Sequence, residues 1–230
     1  MTGTGTDVGK TVVVAAIAAL ARAAGERVTV VKPAQTGVAP GEDGDLAEVA
    51  RLAGPVETVE LARYPDPLAP ATAARRAGAM PVMAAQVVDA VRGIGRDDGA
   101  DLVIVEGAGG LLVRLNDLAE TLADVAAGLA APVVLVASAG LGVLNSAALT
   151  AEALARREVA LAGTVVGAYP EQPDLAERTN LDDLPAVTGA PLLGVLPGGL
   201  GTASPARVLE AARCGLGPVL GGGWSPDGAP

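Results

Sequence analysis

The run Gly3-Thr4-Gly5-Thr6-Asp7-Val8-Gly9-Lys10-Thr11 opens directly onto Val12–Ala21, a stretch with no charge and no proline. A glycine-rich turn feeding an apolar helix constrains the fold more than any other feature of this chain. Successive backbone N–H groups and the helix N-terminus can then point at a single anion, which is how such a loop holds phosphate. The lysine of the pattern reaches the outer phosphates and the hydroxyl after it ligates magnesium, tasks that fall to Lys10 and Thr11. Gly3 lies seven positions before Lys10, one more than in the usual G-x-x-x-x-G-K-T. The plain alternative is a Gly-Thr turn that only caps a helix, and a long uncharged helix behind Gly-Lys-Thr argues against it.

Lysine itself is informative. Lys10 and Lys32 are the only two, although the chain carries 16 basic residues, so arginine serves everywhere else. An ammonium is a compact point charge that can touch a phosphate oxygen, whereas a guanidinium is a broad planar fork. Lys32 ends the apolar run Val28-Thr29-Val30-Val31 and begins Lys32-Pro33-Ala34-Gln35-Thr36-Gly37, so it needs a partner at a strand's carboxyl end.

Other chemistries fall away. The sequence has no histidine and one cysteine, Cys214. That excludes an imidazole base, a Ser-His-Asp triad, an intramolecular disulfide and a multi-cysteine zinc site. A formal charge of −10 with no basic stripe speaks against nucleic acid. The charge-free window between Asp124 and Glu152 resembles a membrane span in length, but Gly128, Pro132, Gly140, Gly142 and Asn145 interrupt it. The expectation is a cytoplasmic protein that engages neither membrane nor nucleic acid.

Short β-branched runs alternate with alanine-rich helical stretches, the pattern of a parallel sheet with crossover helices. Helices are expected at Lys10–Ala24, Asp45–Leu52, Pro81–Ile94, Leu118–Leu129, Leu144–Arg156, near Leu181–Val187 and at Pro205–Arg213. Strands are expected at Arg27–Val31, Glu57–Leu61, Asp101–Glu106, Val133–Ala137, Leu161–Ala168 and Leu192–Leu196. Their nearly continuous apolar character suits strands covered on both faces. Residues 1–213 are expected to form one domain, and 214–230 a loosely ordered Gly- and Pro-rich tail.

Glu106 closes a buried strand just before Gly107-Ala108-Gly109-Gly110, where ligands bind in open α/β sheets. It would hold magnesium or simply face solvent, and the small residues after it leave room for phosphate. Asp45, after Gly41-Glu42-Asp43-Gly44, is either a metal ligand or an N-cap, the commoner use of aspartate there. Asn145 and Ser146 also sit where they could cap a helix.

Taken in order, GTGTDVGKT, KPAQTG, GDLAEVARL, RYPDPLAPATAA, VEGAGGLLV and LLGVLP resemble the dethiobiotin synthetase family from Met1 to about Arg213. The resemblance implies an α/β fold, a P-loop-type parallel sheet flanked by helices in three layers. It implies that 7,8-diaminononanoate, CO2 (or bicarbonate) and Mg-ATP yield dethiobiotin, ADP and phosphate. Lys10 and Lys32 would be the catalytic pair, with Lys32 near the carbamate and γ-phosphate. Thr6, Asp7, Val8, Gly9, Lys10, Thr11 and Val12 would contact nucleotide, with Asp45, Glu106, Gly107, Ala108 and Gly109. Gly167, Ala168, Pro197, Gly198 and Gly199 fall where the family holds the base. Thr11, Asp45 and Glu106 would surround Mg2+. Thr36 would line the substrate site. Members are homodimers, so Leu144 and Asn145 would bind the diamine's carboxylate from the partner subunit through free N–H groups.

Three departures accompany this likeness. Gly5 stands where many relatives have aspartate. The serine and histidine common near Ala69-Pro70-Ala71 are missing. Only Met1 and Thr2 precede Gly3, where relatives carry several apolar residues, so the first strand is truncated and the natural polypeptide is expected to begin upstream. The competing expectations are a partitioning ATPase of the ParA and MinD type, an amidating cobyrinate synthetase and a nucleotide-binding module without ligase activity. The first would need an early lysine at Gly5 and a basic surface. The second would need a glutaminase domain with a catalytic cysteine.

Overall fold

A computed structural model describes residues 1–94 and 99–226. The chain enters through β1 (Thr2–Gly3), turns through the glycine-rich loop and continues as α1 (Lys10–Ala23). Then follow β2 (Val28–Lys32), β3 (Gln35–Thr36), α2 (Asp45–Ala53), β4 (Glu57–Glu60), β5 (Arg63–Tyr64), α3 (Pro70–Ala77) and α4 (Ala84–Gly93). The second half contains β6 (Leu102–Val105), α5 (Leu122–Leu129), β7 (Val133–Ala137) and α6 (Val143–Ala155). It closes with β8 (Leu161–Tyr169), α7 (Leu175–Thr188), β9 (Leu192–Pro197) and α8 (Pro205–Gly215).

The pairings between these strands are parallel, and Gly194 of β9 adds one isolated antiparallel bridge to Leu216. One block runs β4-β2-β6 and another β1-β7-β8-β9. Met1 joins them: its ammonium donates to Val105 O at 2.9 Å, and its carbonyl accepts from Gly107 N at 3.1 Å. The chain therefore starts mid-sheet, crosses over β6 to β2, and later returns to fill both sides. The two directions diverge at β1 and β6, the kind of switch point where α/β sheets open a crevice.

Helices α1, α2 and α8 pack together on one face, and elsewhere α4 packs on α5 and α6 on α7. The main core is Val13, Val14 and the alanines of α1 against Val30, Val49, Leu196 and Val208. Small side chains let α1 sink deeply: Val13 through Ala16 are fully buried. The fold class expected from the alternating pattern is thus observed, and β1 is a two-residue strand.

Several boundaries differ from expectation. Helix α3 is not among the expected helices; Pro70 occupies its first turn, where a missing N–H costs nothing. Helix α7 starts at Leu175, well before Leu181, because Asp174 and Glu177 form a capping box, each side chain taking the other's N–H at 2.8 Å. Helix α5 begins at Leu122 instead of Leu118, since Asn116 Oδ1 ties the preceding turn by accepting from Leu118 N and Glu120 N. The segment after Gly215, expected to be loosely ordered, packs down: Leu216 is fully buried and Trp224 joins the core of β7, β8, α6 and α7. Residues 227–230 of that expected tail lie outside the described residues. Among the described residues no helix is long and apolar enough to cross a membrane.

Candidate active site

The glycine-rich loop leaves β1 and closes onto α1 through Gly9, whose φ of 91° is left-handed and favours glycine. The space is closed to larger residues as well. A Cβ on Gly9 would lie 2.8 Å from Gly167 O, and one on Gly167 would overlap the Val8 carbonyl. The end of β8 thus lies directly against the loop, backbone to backbone. Lys10, buried in the first turn of α1, donates to Gly5 O at 2.7 Å, so the loop is wrapped around its own ammonium.

Lys32 comes from the carboxyl end of β2, Glu106 from just beyond β6, and Asp45 from the first turn of α2. Lys32 Nζ donates to Glu106 Oε1 at 2.9 Å and to Asp45 Oδ2. Thr11 Oγ1 donates to the same Glu106 Oε1 at 2.9 Å. Glu106 is 1% exposed and its Oε2 has no hydrogen-bond partner. A buried carboxylate oxygen without a donor is costly. Its proximity to Thr11 and Asp45 makes a hard oxygen donor set suited to a cation that keeps waters and phosphate oxygens, as magnesium does. Among the described residues no cluster of three or more His, Cys, Asp or Glu forms a closed metal site.

The electrostatics separate the two lysines. Burial pulls the Lys10 pKa below its ordinary value, and the neighbouring Lys32 ammonium lowers it further. Burial also opposes charge on Lys32, but Glu106 and Asp45 outweigh it and hold its pKa above the ordinary one. Lys32 faces two carboxylates, whereas Lys10 meets the neutral carbonyl of Gly5.

Both lysines line one cleft of about 770 Å³. Thr6, Asp7, Gly9, Thr11, Val12, Thr36, Asp45, Glu106, Ala108 and Gly109 face it too. Val8 is buried behind the loop, and Gly107 abuts Leu122. Gly167, Ala168, Pro197, Gly198 and Gly199 do not line this cleft; they sit at the carboxyl ends of β8 and β9, with Gly167 beneath the loop. Leu144 and Asn145 belong to the first turn of α6, also off the cleft, with Gly142 as N-cap and no side-chain cap. Asp45 is not an N-cap: Gly44 holds that position, and the Asp45 carboxylate turns to Lys32. Sequence reasoning passed over Gln35 and the apolar wall Pro67–Pro70, all of which line the cleft. An amide inside KPAQTG gave no signal of its own, and the wall is contributed by a proline-rich segment that reads as mere connection.

The family model described as an AAA domain matches residues 1–204. The ATP-dependent dethiobiotin synthetase of Saccharopolyspora erythraea is 68% identical over 98% of this chain and 97% of its own length. Its counterpart from Streptomyces avermitilis is 60% identical over 99% of this chain and 94% of its own. Among solved structures, the septum site-determining protein MinD of Pyrococcus horikoshii, complexed with Mg-ADP, superposes with a TM-score of 0.59. That likeness covers 92% of this chain and 90% of the other at 15% identity, so it speaks for the fold alone. Chloroplast FtsY from Physcomitrella patens gives 0.53 at 21% identity, covering 89% of this chain and 61% of its own.

Proposed function

The chain belongs to the dethiobiotin synthetase family, and from that premise we propose how its cleft works. It is an ATP-dependent cyclo-ligase of biotin biosynthesis. The partitioning-ATPase alternative is not favoured, because MinD shares only the fold. The substrates are 7,8-diaminononanoate and CO2. One amine adds to CO2, loses a proton and becomes a carbamate. A carbamate oxygen then takes the γ-phosphoryl group and ADP leaves. Finally the second amine attacks the carbonyl carbon, phosphate departs, the nitrogen gives up a proton to the phosphate or to water, and the ureido ring closes.

The observation that carries this reading is the convergence of Lys10 and Lys32 on one cleft beside Glu106 and Asp45. Such chemistry depends on positive charge set against phosphoryl oxygens more than on a tuned imidazole. Lys10 and the loop N–H groups bind the outer phosphates, and Gly107, Ala108 and Gly109 extend that contact. Lys32 sits at the carbamate and γ-phosphate, and Thr36 lines the diamine's place. Thr11, Asp45 and Glu106 would hold Mg2+, which when bound neutralises phosphate charge. The base would rest over Gly167, Ala168 and Pro197–Gly199. The ligase domain takes in residues 1–213 together with the segment through Trp224 that packs into its core, and the enzyme works in the cytoplasm.

We place the diamine's carboxylate at Leu144 and Asn145 of the partner subunit in a homodimer. The uncapped first turn of α6 supports this, as do Leu141, Leu149 and Leu175, exposed apolar residues on and around α6 and α7. The test is direct: purified protein with diamine, bicarbonate and Mg-ATP should yield dethiobiotin with one ADP and one phosphate each. Lys10→Arg and Lys32→Arg should each lose about a hundred- to a thousand-fold in rate, as for loss of a single electrostatic contact. ATP turnover without product, or near-normal rates in either variant, would overturn the reading.

A further inference from the structure

Helix α2 carries Asp45 into the site, yet its own N-terminus has no side-chain cap: Gly44 is the N-cap and supplies none. The first N–H groups of a helix have no partner within it and must find one outside. Here Gln35, ten residues upstream on β3, provides it. Its Oε1 accepts from Asp45 N at 2.9 Å, while its Nε2 donates to Thr36 O at 3.2 Å. One partner is a donor and the other an acceptor, so only one orientation of the amide satisfies both. Gln35 is 4% exposed, and its backbone is pinned by its N–H donating to Ala62 O at 2.9 Å. Gly44 leaves the space for it: a Cβ there would stand 2.8 Å from Gln35 Oε1.

We propose that Gln35 is a positioning residue for the ligase reaction, capping α2 from outside so that the Asp45 carboxylate is held against Lys32. The proposal rests on the reaction assigned above. Its geometry is separate from phosphate binding, because none of the Gln35 hydrogen bonds reaches the glycine-rich loop. An amide suits the place better than a carboxylate. Glutamate could still accept from Asp45 N, but it would lose the bond to Thr36 O and add negative charge beside Asp45.

Four variants test the idea: Gln35→Ala, Gln35→Met (similar length, no hydrogen bonds), Gly44→Ala, and Gln35→Ala combined with Gly44→Ala. Both Gln35 variants should lower kcat about tenfold, the upper end for one hydrogen bond. Affinity for ADP in metal-free buffer, read by calorimetry, should stay within twofold. Gly44→Ala, which pushes the amide away, should show the same split. The double variant should be no worse than Gln35→Ala alone, since both changes break one contact. In the ligand-free protein the Asp45 amide should exchange with solvent at least tenfold faster in every variant. This readout does not depend on turnover, so it survives a failure of the reaction assignment. Unchanged exchange at Asp45, kcat within twofold of wild type, or a double variant that falls by the product of the singles would each overturn the proposal. Should Gln35→Ala fail to fold, Gln35→Met and Gly44→Ala decide alone.

Discussion

One oxygen of Glu106 takes both the Thr11 hydroxyl and the Lys32 ammonium, leaving the other buried and unshared. Glu106→Gln would therefore strip Lys32 of its most buried counter-charge and leave it with half-exposed Asp45. Breaking a buried pair from one side typically costs about 3–5 kcal/mol, which urea unfolding at neutral pH would reveal. The pH dependence has a definite sign. The folded-state pKa of Lys32 lies above the ordinary 10.5, so its contribution is complete below that pH. It is lost as the pH rises through the folded value. Wild type should keep its advantage over Glu106→Gln at pH 9 and surrender it in strongly alkaline buffer; an equal gap at both ends would contradict the assignment. These residues could be read from sequence, because a lysine or an acid at the end of an apolar run is out of place unless something meets it. Gln35 could not, since its partner is the backbone of a residue fixed only by folding.

At the level of elements, the contact between β8 and the glycine-rich loop is the tightest constraint on the site. Gly167→Ala would drive a methyl group into the Val8 carbonyl. Overpacking of this kind costs about 1–3 kcal/mol, and the loop is the part able to yield. ADP affinity should drop roughly tenfold while thermal unfolding shifts by only a few degrees. Unaltered affinity would show that the loop tolerates displacement. Elements with strong apolar periodicity, such as α1, β2 and β7, were legible within a residue or two. Those made by local exceptions were not. Pro70 looks like an interruption but starts α3, and Pro185 lies inside α7 without ending it. The two-residue strands β1, β3 and β5 are too short to show any period, and tertiary pairing alone makes them strands.

Across the whole molecule, the C-terminal segment behaves as part of the core. Trp224, the single tryptophan, is 9% exposed and its backbone N–H donates to Leu216 O at 3.0 Å. Trp224→Ala should destabilise the protein by about 3–5 kcal/mol, measured by urea unfolding under circular dichroism. A loss below about 1 kcal/mol would mean that the segment rests on the surface. Glycine and proline content suggested looseness there, and one aromatic anchor outweighs it. A separate consequence follows from the two lysines, both buried in the cleft at 8% and 2% exposure. The exterior offers no side-chain amine at all, so an acylating label that modifies lysine can do so only inside this one cleft, and occupancy by nucleotide should shield it.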